Sequence, residues 1–261
     1  MEKVTKACVI GCVFGNTFKT VYPAVKNYDT YFFTNNKAIE SELENKGWKY
    51  IFVDFPLSND IAVSSLQSKY IKFLQFLKQE DFSFFKKYDK IIYIDHKLEL
   101  KDKHIKHLLE KSDDCDILIR TNYVDRKNIW EEVRDAMHQE RYLKFMFQTA
   151  DWIVEKIKEG YSEKPIVVWT SLMLYKHLNE RTINFTDMVY NDLIKIGTPE
   201  CQIVWSMLGQ KNMDIIKIIK WNDLDIKWLN PDENIFLKTL KNIILIFIPY
   251  GIVKFIEKRK T

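Results

Sequence analysis

Short, unbroken apolar runs alternating with segments of helical periodicity constrain this chain more than any other feature. Ala7 to Val13, Thr30 to Thr34, Lys49 to Asp54, Lys90 to Asp95, Asp116 to Arg120 and Pro165 to Leu174 read as strands. Runs that stay apolar without strict alternation suit strands covered on both faces. Residues 37–45, 61–77, 128–159, 184–195 and 200–209 read as helices. The helix over 61–77 rests on the spacing of Leu66, Tyr70, Phe73, Leu74 and Leu77, and the stretch from Asn128 to Glu159 is free of Gly and Pro. Strands alternating with helices predict an α/β fold, a mostly parallel sheet sandwiched by helices.

Composition fixes the number of units. The 261 residues are 46% hydrophobic and 29% charged, with only 7 Gly and 6 Pro and no linker-like stretch. One domain over residues 1–237 is expected, followed by a distinct tail over 238–261. Cys8, Cys12, Cys115 and Cys201 form no C-x-x-C pair, which suits buried thiols in a reducing compartment. Met1 to Lys6 leads into too short an apolar run for a secretory signal, so a cytoplasmic location is expected.

The net charge of +4 is concentrated in the tail, where Lys238, Lys241, Lys254, Lys258, Arg259 and Lys260 face only Glu257. A nearly neutral body argues against a nucleic-acid partner, whose basic charge should spread over a folded face. Residues 242–253 are the most apolar stretch, yet they are interrupted by Pro249 and Gly251. A spanning helix needs about 20 apolar residues. The tail therefore reads as a membrane-associating segment at the inner face, with its cations toward anionic lipid, or else as a helix packed on the domain or a partner.

In sheets of this class ligands bind beyond the carboxyl ends of the strands. Three exits matter: Phe14-Gly15, Phe33-Thr34-Asn35 and Asp95-His96-Lys97. Asp95 closes an apolar run, and an acid there needs a cation, a metal or hydrogen-bond donors, or else it caps the following turn. No P-loop and no Gly-x-Gly-x-x-Gly follows the first strand, which disfavours kinases and dehydrogenases.

Several segments in order carry a family resemblance. They are Val9-Ile10-Gly11-Cys12-Val13-Phe14-Gly15, Phe32-Phe33-Thr34-Asn35, Ser68-Lys69-Tyr70-Ile71-Lys72, Ile94-Asp95-His96-Lys97-Leu98, Arg126 with Glu132, His177, and Thr198 to Gln202. Over residues 7–210 the chain resembles the mucilage-related glycosyltransferase-like family. The resemblance implies a GT-A-like (Rossmann-like) fold and transfer of a sugar from a nucleotide-sugar to a glycan or lipid-linked saccharide. It further implies that Phe14, Gly15, Thr34, Asn35, Lys69, Lys72 and Lys97 bind the donor. Asp95 would bind Mn or Mg or the donor sugar, and Arg126, Glu131 and His177 would meet the acceptor. Glu132 or Glu200 would act as base, beside Gln202.

The departures are specific. Lys97 replaces the second acid of an Asp-x-Asp, and Glu200-Cys201 replaces the family's Arg-Asp before Gln202. Plainer readings stand beside these roles. Lys69 and Lys72 also suit a solvated helix face, Glu131 and Glu132 favour the dipole of a first helical turn, and His177 suits a structural position. Trp130, Trp152, Trp169 and Trp205 suit a core as well as sugar-stacking platforms. Competing functions are a non-catalytic nucleotide-binding relative and a nucleotide-sugar hydrolase or nucleotidyltransferase.

Overall fold

The protein is described by a computed structural model covering residues 5–16 and 20–227. The 238–261 tail, and with it the expectation of membrane contact, lies outside the described residues.

Seven strands form one sheet: β1 (Ala7–Cys12), β2 (Asp29–Thr34), β3 (Lys49–Phe52), β4 (Lys90–Asp95), β5 (Ile117–Thr121), β6 (Val168–Tyr175) and β7 (Ile216–Ile219). Their order is β3-β2-β1-β4-β6-β5-β7. All run parallel except β6, which is antiparallel to both neighbours, β4 and β5. The α/β sandwich expected from the alternating runs is therefore the fold observed. Chain order reverses between β1 and β4, which places the topological switch point at the paired strand ends Cys12 and Asp95.

Two apolar layers flank the sheet. On one face α2 (Ile61–Lys72), α4 (Ile129–Ala136), α6 (Met146–Lys158), α7 (Glu180–Ile196) and α8 (Cys201–Gly209) bury Ile71, Val133, Ile153, Val189 and Val204. On the other face α1 (Glu40–Asn45) and α3 (Asp102–Lys111) bury Leu43, Ile105 and Leu108. Helix ends follow local chemistry. Asn179 accepts the Arg181 N–H at the start of α7, and Gly197 ends it at φ 78°, a left-handed conformation that favours glycine.

Three expectations need correction. The 128–159 stretch is not one helix but α4, the short α5 (Glu140–Leu143) and α6. No Gly or Pro marks the breaks; Met137, Tyr142 and Met146 are all buried, and one straight helix cannot turn all of them inward. The 61–77 helix stops at Lys72, and Leu74 takes a left-handed φ of 60° before a 3-10 turn. The strand expected to start at Pro165 begins at Val168 and runs against its neighbours. Two elements, α3 and β7, had no sequence counterpart: α3 is mostly charged, and β7 has only 4 residues at the sheet edge.

Among the described residues no helix is long and apolar enough to cross a membrane. Trp130, Trp152 and Trp205 are core residues, whereas Trp169 meets Trp221 with ring centres 4.0 Å apart and planes tilted by 53°.

Candidate active site

The last turn of α2 carries Lys69 and Lys72, three residues apart and hence on one face. Both are buried, which removes the solvated-face reading. The Lys72 ammonium lies 3.1 Å from Asp95 Oδ1 and 4.9 Å from the centre of the Tyr93 ring. Tyr93 donates its hydroxyl proton to the same Asp95 oxygen at 2.7 Å. The Lys72 side chain is only 4% exposed while that of Asp95 is 31% exposed, so the carboxylate is where the cluster meets solvent.

Charge here is unbalanced. Burial alone would raise the Asp95 carboxyl, but Lys72, Lys69 and the Tyr93 hydrogen bond outweigh it and hold it below the usual range. Burial works against the Lys72 ammonium, yet Asp95 wins and pushes it up to about 12. Lys69 has no such carboxylate of its own among the described residues, and burial lowers it. Two buried lysines thus share one carboxylate at the switch point.

A second cluster stands beside the first. Asn128 caps α4 by accepting the Glu131 N–H, and Glu132 follows in the first turn, only 5% exposed. Its Oε2 accepts from Asn122 Nδ2 at 3.2 Å and Arg126 Nε at 3.0 Å, and its Oε1 accepts from Gln202 Nε2 at 2.6 Å. Burial and then the nearby Glu200 raise the Glu132 pKa, more than Arg126 and Gln202 lower it. Glu200 itself caps α8, accepting the Gln202 N–H at 2.8 Å. The clusters join through Cys201, whose sulfur lies 3.9 Å from Lys72 Nζ and 3.1 Å from Thr170 Oγ1. Lys144, just after α5, pairs with Asp60 at the head of α2 at 2.8 Å. That contact ties α5 to the helix carrying both lysines.

Asp95, Lys69, Lys72, Glu132, Glu200, Gln202 and Arg126 therefore come together. Lys97 stands two residues past Asp95 in a turn closed by the Leu98 N–H to the Asp95 carbonyl at 3.0 Å. Between them His96, which the sequence reading passed over, is held neutral because burial lowers its pKa to about 4, against the pull of Asp95. Glu131 is occupied locally, its Oε2 accepting the Lys127 N–H at 2.9 Å.

The other residues expected at the donor make contacts within the fold. Phe14 is buried against Phe55 at 5.6 Å. Thr34 is buried and accepts the Asn36 N–H at 3.1 Å. Asn35 accepts from Gly15 N at 2.8 Å and directs its amide to the Phe55 and Pro56 carbonyls at 3.3 and 3.0 Å. Gly15 has φ 79°, and a Cβ on it would come within 2.1 Å of Ser64 Oγ and 2.6 Å of the Ser58 carbonyl. Its glycine is needed for packing against the head of α2, where close approach to a ligand was expected. His177 is also displaced from the site. Because β6 runs backwards, Tyr175 pairs with Ile91 while Leu172 pairs with Ile94. His177 therefore lies at the opposite end of the sheet, about 20 Å from Asp95 at the usual strand rise.

The expected Mn or Mg does not fit these residues. Such ions want about six oxygen ligands. Asp95 offers one carboxylate already engaged by Lys72 and Tyr93, and Lys97 stands where a second acid would. Among the described residues no three His, Cys, Asp or Glu side chains gather to hold a cation.

The sheet order with one reversed strand, β6, gives a mixed α/β sandwich. No protein-family model and no curated protein matches the chain. Among solved structures it is similar to apo mouse xyloside xylosyltransferase 1, at 9% identity and a TM-score of 0.43 over 82% of this chain and 85% of that one. It is also similar to a glycosyltransferase involved in the glycosylation of the major capsid of PBCV-1, at 8% identity and a TM-score of 0.43 over 91% of this chain and 98% of that one. Likeness at that level assigns no chemistry, which has to come from the side chains.

Proposed function

We propose that the protein is a glycosyltransferase that takes a nucleoside-diphosphate sugar as donor and a saccharide hydroxyl as acceptor. The observation that supports this most is the pair of buried lysines sharing one carboxylate at the switch point. A diphosphate supplies the missing negative charge, and fixed cations stabilise it most where charge grows as it leaves. Asp95 positions Lys72 and faces the donor sugar. Glu132, with its raised pKa, takes the proton of the acceptor hydroxyl as the acceptor oxygen bonds to the anomeric carbon. The anomeric carbon–oxygen bond breaks in the same step, and its electrons leave with the diphosphate.

Cys201 in place of an acid would favour a non-catalytic relative, but Glu132 provides a buried carboxylate with a raised pKa close by. Attachment to the inner membrane face through residues 238–261, and a lipid-linked acceptor, are proposals supported by the sequence pattern alone.

The test is a thermal-shift series with UDP-, GDP-, CMP- and dTDP-sugars in EDTA. One diphosphate donor should raise the apparent melting temperature, and the rise should vanish in Lys69→Met and Lys72→Met. Saturation at a hundredfold excess over Kd corresponds to about 2.7 kcal/mol. No shift with any donor, with or without added Mn²⁺, would remove the nucleotide site and the transferase reading with it.

A further inference from the structure

His177 sits at the end of the sheet remote from Asp95, in the turn between β6 and α7. It is 2% exposed, and among the described residues no side chain hydrogen-bonds either ring nitrogen. The Phe85 backbone is the one group near enough to hydrogen-bond the ring, and it can engage only one of the two nitrogens. Orphaned buried polar atoms are rare in folded proteins and call for a partner. Burial pushes the imidazole pKa down to about 4, so the ring is neutral at pH 7, with one N–H donor and one acceptor.

The imidazole lines a partly open cavity of about 150 Å³ whose walls are mainly apolar, including Leu74, Leu77 and Phe82. That volume holds one six-membered ring, and apolar surfaces of this size take up such rings. At the rim Lys78 pairs with Asp187 at 2.8 Å, and Lys86 adds one cation on the solvent side. Thr186, the other buried polar side chain of the lining, already donates to the Ile183 carbonyl at 3.0 Å. A water placed there would need two to four polar partners, and His177 is the one buried lining side chain with a polar atom left to offer. The neutral imidazole and the apolar walls at the buried end favour an uncharged ring there.

We propose that this cavity is a binding site for a small neutral hydroxylated ring, of the phenol class. The ligand's ring fills the space between Leu74, Leu77 and Phe82, and its hydroxyl hydrogen-bonds to His177. The site does not rest on the glycosyltransferase reading, because no residue of the Asp95 or Glu132 clusters lines it. Its wall nevertheless begins at Leu74, two residues past Lys72 in the chain.

The experiment is titration of the full-length protein with phenol and with toluene, followed by amide chemical shifts. Phenol should bind at least tenfold more tightly than toluene. His177→Leu should abolish that preference while keeping toluene, and Ile183→Trp, at the partly exposed mouth, should abolish both. If wild type binds neither compound, or binds both equally, the proposal fails and the cavity holds only solvent. Unchanged phenol preference in His177→Leu would overturn it as well. Should His177→Leu not fold, the wild-type preference together with its loss in Ile183→Trp decides the matter.

Discussion

The exits of β2 and β4 lie on the same edge of one sheet, yet they treat their polar groups in opposite ways. At the β2 exit Asn35 spends its side chain on Gly15, Phe55 and Pro56, so the loops it joins close on themselves. At the β4 exit Asp95 is shared between two buried lysines, and one positive charge is left without a carboxylate. The first arrangement is complete as it stands. The second is open to the anionic ligand proposed above. A strand exit at a switch point is therefore a place where a site can be built, and the charge balance of its side chains tells whether one was.

Substitutions can break this contrast. The largest effect is expected for Glu132→Gln, which should lower kcat about a thousandfold with the fold and donor binding intact. Steady-state kinetics with a matched acceptor, alongside circular dichroism, would check it; a loss under tenfold would take the base role away from Glu132. Lys72→Met should cost about a hundredfold or more in turnover. It should also free Asp95 from its main cation, so the Asp95 carboxyl, followed by NMR titration, should rise.

Across the contrast, Gly15→Ala should reduce stability by about 2–3 kcal/mol, because φ 79° and contacts at 2.1 and 2.6 Å oppose any Cβ. Asn35→Ala should cost about 1–3 kcal/mol by leaving the Gly15 N–H unmatched. Both are read by denaturant unfolding, and donor affinity measured on the folded fraction should move little. If either variant weakened donor binding as much as Lys72→Met, the β2 exit would belong to the site after all.

The pH dependence is the smallest effect and separates the two acids. The lowered Asp95 pKa adds stability that is present above the ordinary value of 3.8 and lost as pH falls through the folded value. The raised Glu132 pKa acts in the other direction, reducing stability as pH rises from 4.5 through its folded value. Turnover should rise with pH over that same window, since Glu132 must be ionised to accept a proton. A rate profile flat from pH 4.5 to 7 would be incompatible with this base.

Much of the fold was legible because buried strands need unbroken apolar runs, as in Lys90 to Asp95 and Thr30 to Thr34. Direction was not legible. Nothing in Val168 to Tyr175 says that the strand enters backwards, and that reversal moved His177 from the expected site to the far end of the sheet. The break of α4, α5 and α6 was hidden for a related reason, since its cause is the shared core reached by Met137, Tyr142 and Met146 and not a local breaker. In the site, Asp95, Lys69, Lys72, Glu132 and Gln202 could be picked out, but only three dimensions show that both lysines are buried. Tyr93 and His96 carried no signal beyond their place next to Asp95.

The unmatched ammonium also governs how the protein behaves before any substrate arrives. A buried positive charge without a fixed counterion draws in whatever small anion the solution offers. Phosphate and sulfate will then compete with the donor in the tube, and apparent donor affinity will depend on the choice of buffer. On the proposed reading, the same attraction would also slow the departure of a nucleoside diphosphate after transfer.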